Sequence, residues 1–324
     1  LLYSAFTYYC GFKVNSGEYK LMGLAPYGEP KYSKLIKKNL VDIKNDGSFK
    51  LNLKYFKFHR GFRMTSSAFD KLFESKPRVS EKELTQFHMD IAASIQEVTE
   101  EIVIKLARSL KKETGAKNLC LSGGVALNCV ANGKLLREKI FDDIWIQPAS
   151  GDAGSALGAA LIGWYLKLKK TRKIEKNDSM KGTYLGCNFS NSEIKNYLNK
   201  INSIFTTYED NDLFELIANY LDDGKVIGWF NGPMEFGPRA LGARSIIGDP
   251  RNISMQSVMN LKIKYRESFR PFAPSIIEED ISSQFDMDAK SPYMLLVAPI
   301  KKNLRIKMSN NQKIISVFNL LIQK

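Results

Sequence analysis

Histidine is nearly missing from this sequence: His59 and His88 are the only two among 324 residues, and they stand far apart. A His-rich metal site or a Ser/His/Asp triad has no material to draw on, which excludes a zincin or a chymotrypsin-like hydrolase. Cysteine is thin as well. Cys10, Cys120, Cys129 and Cys187 are scattered with no pair at CxxC spacing, so the thiols read as free and buried in a reducing cytoplasm. The longest apolar run, residues 156–166, falls short of the ~20 residues that a spanning helix needs. No basic, apolar and small-residue series opens the chain as a signal peptide would. A cytoplasmic protein with no membrane partner is expected. The first residue is Leu1 rather than an initiator methionine, so the sequence is expected to begin inside a longer protein. Acidic residues are in deficit: 48 Lys+Arg against 34 Asp+Glu leave a formal charge of +14 and a pI near 9.4. That balance favours anionic partners such as nucleotides, phosphates or nucleic acid. The composition is otherwise ordinary, with 44% hydrophobic, 11% aromatic and 25% charged residues, which is the profile of a folded chain long enough for two domains.

From residue 81 onward Leu84, Phe87, Ile91, Ile95, Val98, Ile102 and Leu106 recur at three- and four-residue steps, which predicts a long helix with one buried face. Residues 118–121 then read as a strand entering Ser122-Gly123-Gly124, and helical spacing resumes over 126–136. Residues 143–147 repeat the pattern, running into PASGDAG and a small-residue helix through Ala156, Ala159 and Ala160. Two strand, glycine loop, helix units in succession predict an α/β domain. Residues 167–178 turn polar and Lys-rich, a composition that suits an exposed connector. Beyond it, helices are predicted over 192–201 and 213–221 and a strand over 225–230, a second α/β unit. The last residues, 300–324, carry Lys301, Lys302, Arg305, Lys307, Lys313 and Lys324 and no acid, six of the fourteen excess charges.

Gly123 and Gly124 sit between a strand and a helix, where backbone amides can close on an anion and the helix N-terminus favours negative charge. Asn128 is placed either to bond a ligand on that loop or to cap the helix. In the second loop Asp152 stands between Gly151 and Ala153, with its carboxylate accessible as a metal ligand, or as an N-cap. Two such loops facing each other across a cleft would resemble the actin-like ATPases. The series GEYKLMGLAPYG (residues 17–28), LSGGVALNCVANGKLL (121–136) and PASGDAGSALGAAL (148–161) resembles the N-terminal domain of the NodU/CmcH family of O-carbamoyltransferases. That resemblance implies an actin-like (ASKHA, RNase H-like) α/β domain whose cleft holds an adenylate, with Gly123, Gly124 and Asn128 on the nucleotide. It also implies that Asp152 is one ligand of a metal, iron.

Farther on, EFGPRALGARSI (235–246) projects Arg239 and Arg244 from a loop fixed by prolines and glycines, and KYRESFRPFAPS (264–275) adds Lys264, Arg266 and Arg270. Five cations in two rigid loops repel one another unless anions lie between them, and guanidinium forks match phosphate oxygens bidentately. Solvated surface charges paired with Glu235, Glu267 or Asp249 are the plainer alternative. These motifs resemble the C-terminal, YrdC-like domain of the same carbamoyltransferases. The resemblance implies that carbamoyl phosphate is activated with ATP, accompanied by magnesium, as carbamoyl adenylate. Arg239, Lys264 and Arg270 then take carbamoyl phosphate and the ATP phosphates as catalytic residues, with Arg244 and Arg266 as supporting cofactor contacts. The carbamoyl group would pass to a hydroxyl of a sugar or natural-product acceptor. Expected boundaries are 1–170 for the first domain, 171–181 for a linker, 182–300 for the second domain and 301–324 for a basic tail.

Two departures stand against the family pattern. The HxxxH-type metal motif that precedes GEYKLMGLAPYG is absent, and neither His59 nor His88 has a matching context. An NTSFN-like loop that completes the ATP pocket is absent too, the basic tail standing in its place. The 324 residues are therefore expected to retain most cleft residues without being competent alone for the full reaction. Threonylcarbamoyl transfer to tRNA and a non-catalytic basic nucleic-acid-binding or scaffold role are the rival readings. Both domain types in one chain together with FRPFAPS favour the small-molecule carbamoyltransferases over a nucleic-acid partner.

Overall fold

The computed structural model describes residues 1–80, 82–174 and 177–305. Lys307, Lys313 and Lys324 of the basic tail, Glu175 and Lys176 of the connector, and Glu81 lie outside the described residues. The first part is helical: α1 (Leu2–Tyr9), α2 (Glu18–Leu24), α3 (Ser33–Asn39), an antiparallel hairpin β1 (Val41–Ile43) and β2 (Phe49–Leu51), then α4 (Ser67–Leu72) and α5 (Gln86–Thr114). The 29-residue α5 is the long amphipathic helix that the spacing predicts. It begins at Gln86 because Thr85 and His88 close a capping box around its first turn. It ends where Gly115 takes a left-handed φ of 63°. Its face of Ile91, Ile95, Val98 and Ile102 packs against Phe6, Tyr9, Leu21, Leu24 and Ile36. Phe69 sits edge-on to both Phe6 and Tyr9, with centroids 5.2 and 4.8 Å away, arrangements that suit the ring quadrupoles.

β3 (Asn118–Leu121) and β4 (Asp143–Ile146) pair in parallel, Asn118 opposite Asp143 and Leu121 opposite Ile146. A parallel pair needs a crossover, and α6 (Cys129–Arg137) supplies it. The helix expected from residue 126 starts at Cys129, because residues Gly124–Leu127 wind into a 3-10 turn and Asn128 caps α6. After β4 comes α7 (Asp152–Ile162). The second part holds α8 (Asn191–Lys200), α9 (Asp210–Asp222) and an antiparallel pair, β5 (Ile227–Phe230) with β6 (Arg244–Ile247). The sequence pattern anticipates β5 but not β6, whose partnership with β5 closes the arginine loop between them. Among the described residues the strands form three two-stranded sheets, so the chain is of mixed α/β content. The four cysteines are free, as their spacing implies, but only Cys10 is buried: Cys129 is half-buried, and Cys120 and Cys187 are exposed. The expectation of four buried thiols therefore fails at Cys120, on the face of the β3–β4 pair that Asn118 and Trp145 also leave exposed among the described residues, and at Cys187, which lies in a loop.

The two parts pack on each other. Phe269 is buried in the first core, 6.3 Å from Phe12 between centroids, and the Tyr27 hydroxyl donates to the Phe269 carbonyl. Residues 295–297 lie across α6: Asn132 Nδ2 donates to Leu295 O at 3.1 Å and Val297 N donates to Cys129 O at 3.1 Å. The approach demands glycine at 133, where a Cβ would stand 2.0 Å from Val297 O.

Candidate functional site

Both glycine loops of the first part follow the ends of parallel strands. Gly123 takes φ +97°, open to glycine, and its amide donates to Ser150 O at 2.9 Å, so the loop after β3 is tied to the loop after β4. A Cβ placed at Gly123 or Gly124 would meet nothing within 4 Å, so the outer face of this loop is open. Asn128 is engaged elsewhere. Its Oδ1 accepts from Ala131 N as the cap of α6, and its amide exchanges two hydrogen bonds with the Gln96 amide, at 3.0 and 3.1 Å. The side chain is buried with its donor and acceptor used. Of the two roles open to Asn128, the structure displays the cap.

Asp152 opens α7 and is exposed, and Gly151 is the cap residue with no side-chain bond. Among the described residues no three His, Cys, Asp or Glu side chains gather into a set that could hold a metal ion. His88, the more buried histidine, is engaged with Thr85 at the start of α5. A single carboxylate does not make the three or four ligands that iron or zinc takes from a protein. Among the described residues Asp152 brings one carboxylate to such a site, as expected of a ligand without its partners, and no chemical step is assigned to a metal there.

The arginine loop is shaped from within by a carboxylate. Glu235 Oε1 accepts from the amides of Leu241 (2.7 Å), Ala243 (2.8 Å) and Arg244 (3.3 Å), closing residues 235–244 into a ring. Burial alone would raise its carboxyl, yet the three amides hold it below the usual carboxylate range. Sequence reasoning treats Glu235 as an ion-pair partner and misses this role; a Glu directly before Phe-Gly-Pro-Arg is the only signal for it. Arg244 also serves the loop. Its Nη1 donates to Gly232 O at 3.0 Å and Ala243 O at 2.9 Å, and the guanidinium lies 3.4 Å from the Phe230 ring centroid.

Arg239 points the other way, into the first part. Its Nη2 donates to Leu127 O at 2.9 Å, on the turn after the Gly123-Gly124 loop. The Nε is buried with no hydrogen-bond partner among the described residues, and burial lowers the affinity of the guanidinium for its proton. The residue lines a narrow crevice with Pro148, Thr183, Phe236 and Tyr293, which brings the second glycine loop beside it. The connector's end packs here too, because Asp178 accepts from Met180 N, Gly182 N and the Tyr293 hydroxyl.

Lys264, Arg266 and Arg270 form a second group. Lys264 is exposed and carries no ion pair among the described residues; partial desolvation of its ammonium and the charges of Arg266 and Arg270 lower its pKa. Arg266 donates from Nε to Asn260 Oδ1 at 2.7 Å and lies over Phe272, while burial and the Arg270 charge lower its pKa. Arg270 stacks on Tyr19 at 4.2 Å and meets Glu267, which also binds Lys20. Tyr19 and Lys20 belong to the GEYKLMGLAPYG segment, whose contact with this group no local pattern announces. Beside Arg239, the Cys129 sulfur lies 3.8 Å from that of Met22 in the same GEYKLMGLAPYG segment, and the Arg239 charge acts on the Cys129 thiol. A cavity of about 310 Å³ lies elsewhere, lined by Pro274, Ser275, Ile276, Asp280, Gln284, Phe285 and Ile300.

Two glycine loops joined to a carboxylate-closed arginine loop, in this order along one chain, match two family profiles. One is described as Carbamoyltransferase N-terminus, over residues 1–161, and the other as Carbamoyltransferase C-terminus, over residues 218–316. The chain belongs to the carbamoyltransferase family. An uncharacterised protein of Synechocystis sp. is 59% identical over 315 residues, covering 97% of this chain and 51% of that protein. Nodulation protein NolO of Bradyrhizobium diazoefficiens is 37% identical over 289 residues, 88% of this chain and 50% of that protein. Nodulation protein NolNO of Sinorhizobium fredii is 36% identical over 309 residues, 94% and 43% respectively. The carbamoyltransferase chain thus spans about half the length of these curated relatives. Among its described residues no helix is long and apolar enough to cross a membrane.

Proposed function

We propose that this chain serves O-carbamoyl transfer, in which carbamoyl phosphate, ATP and water yield carbamoyl adenylate, phosphate and pyrophosphate, and the carbamoyl group then passes to a hydroxyl of a small-molecule acceptor, a sugar or natural product. The reading extends to architecture, an actin-like first part and a YrdC-like second part, and to a cytoplasmic setting. Arg239 is the observation that carries it: one guanidinium nitrogen reaches the turn beside the first glycine loop while another is left buried and unpartnered among the described residues. A buried donor without an acceptor costs about 1–3 kcal/mol. An anionic oxygen of the donor substrate at that place would satisfy it.

In this reading Arg239 and Arg270 neutralise phosphate oxygens, and Lys264 adds a mobile point charge. Arg266 braces the group through Asn260 and Phe272. The open loop at Gly123 and Gly124 accommodates the adenylate beside them. Attack by the acceptor oxygen on the carbamoyl carbon forms the new C–O bond as the bond to the AMP phosphate oxygen breaks, and the hydroxyl proton leaves to solvent. Cations fixed around the departing phosphate stabilise the growing negative charge, an effect worth about 3–4 kcal/mol per well-placed donor. Positioning carries the remainder, in keeping with a chain that has two histidines. Binding of carbamoyl phosphate and ATP, read as protection against thermal unfolding, tests the reading without requiring the full reaction of this chain. The expected result is a rise in the parent's unfolding midpoint that is lost in Arg239→Ala; no rise in the parent, or an equal rise in the two proteins, would refute it.

A further inference from the structure

Glu267 lies between two cations that belong to different parts of the chain. Lys20 Nζ, on α2, is 2.6 Å from Glu267 Oε1, whereas Arg270 Nη1 is 3.4 Å from Oε2, at the outer limit of a hydrogen bond. The carboxylate therefore leans toward the lysine. Tyr19, the residue before Lys20, supports the Arg270 guanidinium with its ring centroid 4.2 Å away. The neighbouring cations, Lys264 and Arg266, have no carboxylate within ion-pair distance among the described residues. Burial pushes the Glu267 carboxyl up, but the Lys20 bond is the largest influence holding it down, with Arg270 the smallest of those resolved.

An arginine that must receive a phosphate is compromised by a carboxylate able to occupy the same fork, since a bidentate Arg–carboxylate pair uses the donors that phosphate needs. Glu267 is three residues from Arg270 and partly shielded, so with no competing cation it would close on the guanidinium. We propose that Lys20 is a positioning residue that draws Glu267 away from Arg270 and thereby keeps the Arg270 guanidinium available to a phosphate group. The proposal rests on the proposed function only in taking a phosphate as the anion at Lys264, Arg266 and Arg270. It gives the GEYKLMGLAPYG segment a task at a site built by the other part of the chain.

Titration calorimetry with inorganic pyrophosphate on the full chain tests it, with Arg270→Ala as the control that locates binding. Lys20→Met is expected to weaken pyrophosphate binding about tenfold, with its unfolding midpoint read separately to confirm folding. Glu267→Gln is expected to bind at least as tightly as the parent. The double variant Lys20→Met/Glu267→Gln should return to within about twofold of Glu267→Gln, because the competing carboxylate is gone. A Lys20 that merely packs, or itself contacts the anion, would not be rescued. Parental affinity in Lys20→Met, no rescue in the double variant, or no pyrophosphate binding by the parent each overturns the proposal. Should the expected pattern appear while carbamoyl phosphate and ATP give no protection against thermal unfolding, the carbamoyl-transfer reading fails and the role of Lys20 stands.

Discussion

Arg239 holds a pronounced local imbalance: one nitrogen is bonded to Leu127 O and another is buried with no acceptor among the described residues. An apolar side chain of similar length would remove that penalty together with the function. Arg239→Met is expected to keep the unliganded stability within about 1 kcal/mol of the parent while abolishing the rise in unfolding midpoint given by carbamoyl phosphate and ATP. Urea and thermal unfolding with and without ligands check both halves. Asn128 should behave oppositely. Asn128→Ala removes the cap of α6 and strands the buried Gln96 amide, a cost of about 2–3 kcal/mol, yet ligand protection should persist. Residue types are enough to single out the five cations, which the structure places in separate groups. Their anchors are not legible in the same way, since Glu235, Tyr19, Lys20 and Glu267 act through contacts that loop closure or long sequence separation creates.

The start of α5 carries a pH-dependent element. His88 is buried, and its Nδ1 accepts the Thr85 amide at 3.1 Å, which only the unprotonated ring can do. Burial first, then the Arg78 charge, lower its pKa from 6.5 to about 4. Between those values the unfolded chain binds the proton more readily, so stability rises with pH. The stabilisation is complete above pH 6.5 and is lost as the pH falls to about 4, a contribution of roughly 3 kcal/mol. Urea midpoints measured from pH 4 to 7 should show this slope, and His88→Gln, which keeps a capping-box acceptor, should flatten it. Elements with strong periodicity are legible in the sequence: α5 over four turns and more, and both strand, loop, helix units. The short helices α1 to α4 and the strand β6 are not, because their boundaries are set by packing and pairing rather than by local pattern. Spacing alone starts α6 three residues early for the same kind of reason, since the 3-10 turn at Gly124–Leu127 continues the apolar pattern without being part of the helix.

The two parts of the molecule are held together at Lys20–Glu267, at Arg239–Leu127 and where residues 295–297 cross α6. Gly133→Ala tests the last of these. A Cβ there would lie 2.0 Å from Val297 O, so the crossing segment must shift, and a loss of about 1–3 kcal/mol in urea unfolding is expected. The net charge of +14 takes on a different meaning at this scale. Arg239 and Arg270 are anchored by first-part residues, and Arg244 and Arg266 by loop acceptors and aromatic rings, an arrangement better suited to a compact polyphosphate than to a long nucleic-acid backbone. The central claim is that Arg239 and Arg270 receive the phosphates of carbamoyl phosphate and ATP. Thermal unfolding with these ligands tests it most directly: the midpoint of the parent should rise with ligand concentration, and the rise should vanish in Arg239→Ala and in Arg270→Ala. No rise in the parent, or an equal rise in all three proteins, would contradict it.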